Sequence, residues 1–428
     1  MMVLMQTYIK TYGCTLNQAD TNIISSVLSK GGIRLSDEAE ADVLIVNTCT
    51  VKSSAERRII DYIRGLEADH RRIIVTGCLA GANSDIISRY APTASIVTTP
   101  NIDRMPEAVS RTARGERVVF GDYRRSDRLS ILDGSSFGEC IAKVQISDGC
   151  LSSCGFCETR FARGPLNSFS DRLILRAIEM AVERGAKEIQ LTSQDVGAYG
   201  LDRGTDIAEL MGRIMEIDGD FKVRIGMLNP DHLWRYIERF ATYLRDERFY
   251  RFVHLPVQSG SDRVLRAMGR NYSVERIYEH LDYLRSEVDG LTFMTDIIVG
   301  YPSENDIEFD ETLDFIREAR PDTVNLSKFT KRPHARASKM IQIPDGEIKR
   351  RSRIAASVIR DVQHDVNESF VGKEYRVLAT EATPGSINGR TDSYKQVILN
   401  RNLDIEMGRY YNVRILDKSA NVLYGRVI

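Results

Sequence analysis

Cysteine and long apolar runs are both scarce in this sequence. Only 7 of its 428 residues are cysteine. No run of eighteen apolar residues occurs, so the sequence predicts no membrane-spanning helix and no membrane partner. The N-terminal stretch "MMVLMQTYIKTYGC" also lacks the charged start and the small-residue cleavage site of a signal peptide. We therefore expect a cytoplasmic protein, in which thiols stay reduced and clustered cysteines bind metal more often than they form disulfides.

Net charge is also low, at −1, but positive charge is concentrated in one stretch. Between Lys328 and Arg360 the sequence has ten lysines and arginines, opposed only by Asp345 and Glu347. Such a stretch is either a solvated helix face or a surface that binds the phosphates of a nucleic acid.

Hydrophobic patterns divide the chain into three predicted domains and one linker. Residues 1–115 alternate strand-like and helical segments, which predicts a doubly wound parallel sheet and an α/β fold class. Residues 116–138 are polar and rich in turns, which predicts a linker. Residues 139–366 hold six candidate strands with helices between them, which predicts a partial (βα)6 barrel with its active site at the strand C-termini. Residues 367–428 have short strands only, which predicts a small β-barrel of the kind that binds oligonucleotides.

Three cysteines stand at the ends of successive predicted strands in the first domain. They are Cys14, Cys49 and Cys78. Because the carboxyl ends of parallel strands line the ligand crevice of an open α/β sheet, we expect these thiols to meet at one edge. The alternative is three unrelated buried thiols, since free cysteine is often a small core residue.

A second set of three cysteines lies in "CLSSCGFC", directly after the first predicted barrel strand. Cys150, Cys154 and Cys157 have no fourth cysteine or histidine beside them, whereas structural zinc requires four protein ligands. A disulfide would use two thiols and suits an oxidising compartment. A four-iron cluster held by three thiolates keeps one iron open for an amino acid-like ligand.

These motifs resemble those of a known family. Cys150, Cys154 and Cys157, with Phe156 before the last, are similar to the signature of radical S-adenosylmethionine (SAM) enzymes. "TYGCTLNQAD", "VNTCTVKSSAE" and "TGCLA" resemble the N-terminal domain of the methylthiotransferases, and "GRTDSYKQVIL" resembles their C-terminal TRAM domain. "TSQDVGAYGLDRGT" and "GMLNPDHL" are similar to the archaeal and eukaryotic branch, which acts on N6-threonylcarbamoyladenosine at position 37 of tRNA.

The resemblance implies two [4Fe–4S] clusters with different roles. The cluster on Cys150, Cys154 and Cys157 is expected to bind SAM and, with an electron from a donor such as ferredoxin or flavodoxin, to give a 5′-deoxyadenosyl radical. The cluster on the other three cysteines is expected to be where the methylthio group is built, with SAM as methyl donor. The implied product carries that group at C2 of the adenine.

The resemblance also implies cofactor contacts. Phe156 belongs to the signature, Ser193, Gln194 and Asp195 match the contact to the SAM amino group, and Gly300 matches the glycine beside the adenine. The alternatives are a polar strand end with an Asp cap, and an ordinary turn glycine.

Two asparagines and one arginine are further candidates. Asn17 and Asn47 flank cysteines and are either hydrogen-bond partners of cluster sulfurs or turn residues. Arg163, in "FARG", is a candidate for contact with a phosphate or with the SAM carboxylate.

The expected macromolecular partner is the anticodon stem-loop of tRNA. The candidate RNA contacts are Arg163, Arg350, Arg351, Arg353, Arg390 and Lys395. One departure from the family concerns residues 331–340, "KRPHARASKM", where the family has an R-P-G-T-P-A-type run: the glycine and the second proline are absent.

Three alternatives remain open from the sequence. The same chemistry is also found in the family on isopentenyladenosine in tRNA and on an aspartate of a ribosomal protein. A non-catalytic iron–sulfur module that binds RNA is an alternative from another class.

Overall fold

The computed structural model describes residues 5–50, 53–125, 127–138, 140–400 and 404–428. Within these ranges no helix has both the length and the apolar character that crossing a membrane requires.

The N-terminal domain is a six-stranded sheet in which every paired neighbour is parallel. Its strands are β1 Gln6–Thr11, β2 Arg34–Leu35, β3 Val43–Thr48, β4 Ile73–Gly77, β5 Ser95–Val97 and β6 Val119–Phe120, in the order β2-β1-β3-β4-β5-β6. Its helices are α1 Thr15–Lys30, α2 Ser53–Ala68, α3 Cys78–Ala82, α4 Ser84–Tyr90 and α5 Met105–Ala113. Strands β3 and β4 are buried along their whole length, which explains their continuous apolar sequences. The predicted parallel sheet is confirmed.

The central domain is an incomplete barrel of six parallel strands. They are β7 Ile141–Gln145, β10 Glu188–Thr192, β11 Lys222–Arg224, β12 Phe252–His254, β13 Thr292–Val299 and β14 Thr323–Lys328. The first three and the last three each form a sheet, and a parallel bridge between Val223 and Phe249 joins the two. The short ribbon β8 Ser147–Asp148 and β9 Asn167–Ser168 follows β7. All six predicted strands are confirmed.

Helices alternate with these strands along the chain and cover the outside of the barrel. They are α6 Thr159–Arg163, α7 Asp171–Glu183, α8 Ile207–Ile214, α9 Pro230–Leu233, α10 Ile237–Leu244, α11 Asp262–Met268, α12 Val274–Glu287, α13 Asp306–Ala319 and α14 Asp345–Glu368. The long α14 carries five of the ten cations of the basic stretch found in the sequence.

The predicted linker 116–138 is packed and not free. Val119–Phe120 add the edge strand β6 to the N-terminal sheet, because β5 leaves an open edge there. Leu129, Leu132 and Phe137 are buried in the core cluster that the two domains share. Because the segment is mostly polar in composition, the sequence did not reveal that these three apolar residues are buried.

The C-terminal domain is a closed five-stranded barrel, as predicted. Its strands are β15 Glu374–Thr383, β16 Ser386–Thr391, β17 Gln396–Asn400, β18 Tyr410–Lys418 and β19 Leu423–Val427. Alternate residues point inward and form a separate small core.

One turn of this barrel, residues 391–395, closes the lower end of the central barrel. It contacts residues at or just before the start of five central strands. The contacts are Tyr394 Oη to Glu188 Oε1 at 3.2 Å, Asp392 Oδ1 to Lys222 Nζ at 2.8 Å, the Asp392 carbonyl to the Arg251 amide at 2.9 Å, the Ser393 carbonyl to Thr292 Oγ1 at 2.5 Å, and Lys395 Nζ to Asp322 Oδ1 at 2.7 Å. Burial raises the pKa of Tyr394 to about 12.

This docking corrects two predicted RNA contacts. Lys395 is only 8% exposed, because Asp322 and the side-chain oxygen of Asn367 hold its ammonium group. The guanidinium of Arg390 lies 4.7 Å from the centre of the Tyr394 ring, so this half-buried side chain is also directed to the contact between domains.

We expect the substitution Lys395→Met to destabilise the attachment of the C-terminal barrel by about 3 kcal/mol, because it leaves the carboxylate of Asp322 without its partner. Calorimetry of the full chain would measure this as a lower unfolding temperature. Arg414→Gln is the control, since its ion pair with Glu374 is about half exposed on both sides and should contribute at most about 1 kcal/mol. Equal effects of the two substitutions would contradict the proposed role of this turn.

Candidate active site

The first three cysteines meet at one edge of the N-terminal sheet, as predicted. Strands β1, β3 and β4 are direct neighbours in the sheet, and Cys49 and Cys78 follow the last residues of β3 and β4. The side-chain oxygen of Asn17 lies 3.8 Å from the sulfur of Cys14 and 3.8 Å from the sulfur of Cys78. Two backbone carbonyls hold the side-chain amide of Asn17 in place. Its nitrogen donates to the carbonyl of Tyr12 at 2.9 Å and to that of Thr48 at 2.6 Å. 

Asn47 has a different position from the one the sequence suggested. Its amide nitrogen donates to the backbone carbonyl of Asn17 at 2.7 Å and to the hydroxyl of Thr21 at 3.1 Å. It therefore supports Asn17, and no contact with a sulfur is seen among the described residues.

The second three cysteines lie on a loop that is fixed at both ends. The backbone amide of Cys150 donates to the Gly164 carbonyl at 3.2 Å. The amide of Gly155 donates to Met268 at 2.7 Å, and its carbonyl accepts from Ala337 at 2.8 Å. These bonds place the loop above the carboxyl end of β7, where an active site is expected in such a barrel.

The short helix α6 brings the two sets of cysteines together. Ala162 packs against Cys78 and Ala82 of the N-terminal domain. The approach of α3 and α6 requires a glycine, since a Cβ on Gly81 would collide with the Ala162 carbonyl. Because α6 begins two residues after Cys157, both sets of thiols lie on either side of this one helix.

Arg163, at the end of α6, connects both domains through a buried charge network. Its Nε donates to the sulfur of Cys78 at 3.2 Å, and its Nη atoms lie 2.5 Å from Asp20 and 3.1 Å from Asp148. A second buried arginine, Arg128, lies 2.7 Å from Asp148 and 3.7 Å from Asp20. Two cations and two carboxylates thus neutralise each other where helix α1 of the N-terminal domain meets the central domain.

The network shifts the titration of its neighbours. Burial raises the pKa of the Cys78 thiol to about 12, and the Arg163 charge opposes that rise only in part. Burial would also raise the pKa of Asp148, but Arg128 and Arg163 hold it below its usual value. Cys150, in its half-buried loop, likewise has a pKa raised by burial to about 12. A metal bound by these thiols would therefore displace their protons.

Buried polar atoms without partners gather at the upper end of the central barrel. They include Gln194 Oε1, Asp195 Oδ2, His232 Nε2 and Gln258 Oε1. An unpaired buried polar atom costs about 1–3 kcal/mol. Burial also raises the pKa of Asp195, while His232 nearby lowers it. Asp195 Oδ2 and His232 Nε2 lie 3.7 Å apart, which is too far for a hydrogen bond. Such a group of donors and acceptors without hydrogen bonds fits a polar ligand held between these strand ends.

Arg270 faces the same region and was not singled out from the sequence. It is 7% exposed, and its Nη1 donates to the side-chain oxygen Oδ1 of Asn229 at 2.9 Å. The backbone amide of Asn229 in turn donates to Asp195 Oδ1 at 3.0 Å. Its guanidinium also lies 5.6 Å from the centre of the Phe156 ring. Arg270 and Asp195 are thus linked through one residue and present opposite charges, which fits the carboxylate and the ammonium of an amino acid. The available signal was the position of Arg270 directly after the left-handed cap glycine Gly269.

The remaining predicted cofactor contacts are close to this region. Ser193 accepts a hydrogen bond from the Asp195 amide at 3.2 Å, and Gln194 Nε2 lies 3.5 Å from Asp148. Gly300 has a positive φ of 78°, and a Cβ there would meet Ile348 of α14. Helix packing is thus sufficient to explain this glycine, and its place beside an adenine remains a prediction.

Two of the predicted RNA contacts on the central domain are buried. Arg163 is held by the network described above. Arg351 is 4% exposed, and it lies 2.8 Å from Glu304 and 2.7 Å from Glu347. Carboxylates that are distant in sequence or one helical turn away neutralise both cations, so this geometry does not favour them as RNA contacts. Arg350 is exposed but also pairs with Glu347, at 2.8 Å, whereas Arg353 is exposed and forms no ion pair with a carboxylate of the described residues.

No three histidine, cysteine, aspartate or glutamate side chains in the described ranges are placed to hold a single metal ion. A four-iron cluster binds each thiolate through a different iron, so its three sulfurs stand apart. The lack of a single-ion site among these residues is therefore no argument against a cluster on either set.

Comparison with known proteins identifies the family. The Radical SAM superfamily matches residues 144–316, the uncharacterized protein family UPF0004 matches residues 6–99, and the TRAM domain matches residues 368–428. A probable threonylcarbamoyladenosine tRNA methylthiotransferase of Pyrococcus abyssi is 37% identical over 99% of this chain and 100% of its own length. The chain belongs to the threonylcarbamoyladenosine tRNA methylthiotransferase family.

Other members of this methylthiotransferase family are similarly close. The probable enzyme of Archaeoglobus fulgidus is 39% identical over 99% of both chains. The enzyme of Drosophila melanogaster is 32% identical over 98% of this chain and 77% of its own length.

Solved structures resemble the fold at low sequence identity. The radical SAM methyltransferase TsrM of Kitasatospora setae, solved with cobalamin and a [4Fe–4S] cluster, has a TM-score of 0.59 at 13% identity over 78% of this chain and 77% of its own. The cobalamin-dependent radical SAM enzyme OxsB, solved with SAM, has a TM-score of 0.55 at 12% identity over 84% and 55%. These likenesses concern the fold alone.

We expect Arg163→Met to lower the free energy of unfolding of this chain by about 3 kcal/mol, because it leaves buried carboxylates on Asp20 and Asp148 with one cation between them. Urea unfolding under anaerobic conditions would measure the loss. Arg160→Met is the matched control on the same helix, since Arg160 is exposed and should change stability by at most about 0.5 kcal/mol. A similar loss in both variants would contradict the role of the network.

Proposed function

We propose that the chain transfers a methylthio group to C2 of N6-threonylcarbamoyladenosine at position 37 of tRNA. The observation that carries this proposal is the meeting of two cysteine sets from two domains across α6. The names of relatives that match the whole chain support the same nucleoside over isopentenyladenosine and over a ribosomal-protein aspartate.

Each cysteine set is proposed to hold a [4Fe–4S] cluster with one iron free of protein thiolate. When bound, the cluster on Cys150, Cys154 and Cys157 supplies the electron that cleaves SAM to a 5′-deoxyadenosyl radical. Asp195 is proposed to accept hydrogen bonds from the SAM ammonium group. Arg270, in place of Arg163, is proposed to bind the SAM carboxylate, because its charge is buried and faces the same region. 

The remaining protein groups position ligands and exclude water. Phe156 and the neighbouring apolar cluster cover the loop of the barrel cysteines. A ferredoxin or flavodoxin is the proposed electron donor, and the cytoplasm is the proposed location. A non-catalytic RNA-binding module would have no use for a buried, opposite-charged pair at the upper end of the barrel.

Analysis of tRNA nucleosides by mass spectrometry tests the proposed reaction. Cells without this gene should accumulate N6-threonylcarbamoyladenosine, and the wild-type chain should restore its 2-methylthio derivative. Appearance of the group on isopentenyladenosine, or on a ribosomal protein, would contradict the proposed substrate.

Cysteine variants test the proposed division of roles. The wild-type chain should hold about eight irons after anaerobic reconstitution, and replacing either cysteine set by alanine should leave about four. The variant without Cys14, Cys49 and Cys78 should still form 5′-deoxyadenosine but should not methylthiolate tRNA. Zinc in the anaerobically purified protein, or loss of 5′-deoxyadenosine with a loaded barrel cluster, would contradict these roles.

RNA binding is proposed to use a stripe of exposed cations on α14. Lys349, Arg353 and Arg360 are four and seven residues apart, so they share one helix face. None of the three forms an ion pair with a described carboxylate. They replace Arg163, Arg351 and Lys395 in the proposed RNA surface.

We expect the triple substitution of Lys349, Arg353 and Arg360 by glutamine to weaken tRNA binding and to reduce its salt dependence. Each lost phosphate contact lowers the slope of log K against log salt by about one. Fluorescence anisotropy across a salt series would measure both quantities. Arg350→Gln is the control, because Glu347 already neutralises this arginine. A slope unchanged from wild type would place the RNA elsewhere.

A further inference from the structure

Two exposed aromatic rings stack on each other beside the proposed active site. Phe161 of α6 is 58% exposed, and His334 is also exposed. Their ring centres are 5.1 Å apart with 29° between the planes, which is a stacked arrangement. The pair therefore leaves a flat aromatic surface in contact with solvent.

Buried contacts hold the backbone beside both rings. The backbone amide of His334 donates to Glu158 Oε1 at 3.0 Å, and Glu158 is only 3% exposed. Two residues before His334, Arg332 lies 2.5 Å from Glu56 of α2. Phe161 stands on α6 directly before Ala162, which packs on Cys78. Stacking of a partner on these rings would therefore cost Phe161 and His334 little additional side-chain freedom.

The aromatic pair lies where the two cysteine sets meet. Glu158, which holds His334, follows Cys157 of the barrel set, while Ala162, next to Phe161, touches Cys78 of the other set. A ligand on these rings is thus adjacent to both proposed clusters.

Positive charge lies close to the pair in sequence. Arg160, Lys331 and Arg336 are one to three residues from the rings, are exposed, and form no ion pair with a carboxylate among the described residues. Arg336 also donates a hydrogen bond to the Ser153 carbonyl at 3.1 Å. Exposed aromatic rings next to unpaired cations are the features by which proteins bind single-stranded nucleic acid, because rings stack on bases and cations contact phosphates.

Part of this arrangement lies where the sequence departs from the family-type run. His334 occupies the glycine position of the R-P-G-T-P-A-type run, and Arg336 occupies the position of its second proline. The departure noted in the sequence therefore adds a ring and a cation to the loop. The buried hydrogen bond at this position is made by the backbone amide of His334, so a glycine could make it as well.

We propose that Phe161 and His334 form a stacking platform for an unpaired base of the tRNA anticodon loop, which holds the loop while the reacting adenine enters the site. This inference rests on the proposed function and adds the residues that grip the substrate there. Flanking cations Arg160, Lys331 and Arg336 contact the phosphates on either side of the stacked base.

Binding of an anticodon stem-loop RNA to the reconstituted full chain tests the platform. Stacking of one base is lost in Phe161→Ala and in His334→Gly, and each should weaken binding at least about fivefold. His334→Gly introduces the residue of the family run, so a folding defect is not expected there. Phe161→Trp keeps a ring and should bind within about twofold of wild type. Tyr90→Ala, at another exposed aromatic residue, is the matched control.

A spectroscopic readout separates stacking from a structural role. With 2-aminopurine in place of single loop bases, wild-type protein should quench the fluorescence of one of them, and His334→Gly and Phe161→Ala should reduce that quenching. Formation of 5′-deoxyadenosine without RNA should stay unchanged in both variants, because neither ring is proposed to touch SAM.

The outcomes distinguish this inference from the proposed function. If wild type methylthiolates tRNA but Phe161→Ala and His334→Gly bind and quench as wild type does, the platform is wrong and the function stands. If Phe161→Trp binds as weakly as Phe161→Ala, the residue acts through packing and the platform is also wrong. If wild type neither binds nor modifies tRNA, both proposals fail.

Discussion

The arrangement of the two cysteine sets depends on one buried cation. Arg163 belongs to the central domain, but its charge is neutralised by Asp20 of the N-terminal domain and by Asp148 of its own. The free-energy cost of burying a guanidinium without such partners would be prohibitive. The two domains can therefore pack in this way only when both carboxylates lie next to Arg163. The same side chain donates to the sulfur of Cys78. A single residue therefore links the orientation of the two domains to the position of one proposed cluster ligand.

Helix α6 concentrates several roles within five residues for the same reason. It begins just after Cys157, the last cysteine of the barrel set. Its length therefore sets the distance between the two cysteine sets. Ala162 must be small where α3 approaches, Arg163 must turn inward to the network, and Phe161 is then left on the outer side. An exposed ring at this point follows from the geometry that joins the domains, and the loop with His334 covers one face of it.

Most of the fold could be predicted from the sequence, because strand periodicity and the cysteine positions are local signals. The ends of β1, β3 and β4 and all six strands of the central barrel are where the sequence indicated. The RNA contacts were predicted poorly, since a count of cations does not reveal their partners. Glu304 neutralises Arg351 and Asp322 neutralises Lys395, and both carboxylates are distant in sequence. Arg270 was missed because its link to Asp195 exists only after folding.

The docking of the C-terminal barrel constrains how RNA reaches the active site. Its turn 391–395 occupies the lower end of the central barrel, whereas both cysteine sets lie at the upper end. Helix α14 spans the distance between them, about 36 Å for 24 residues. Its first turn packs Ile348 at Gly300, and near its end Asn367 donates to the Ser419 carbonyl of the C-terminal barrel. If the C-terminal barrel held RNA, α14 would offer the RNA a path to the proposed reacting centre, past cations that form no ion pair with a described carboxylate.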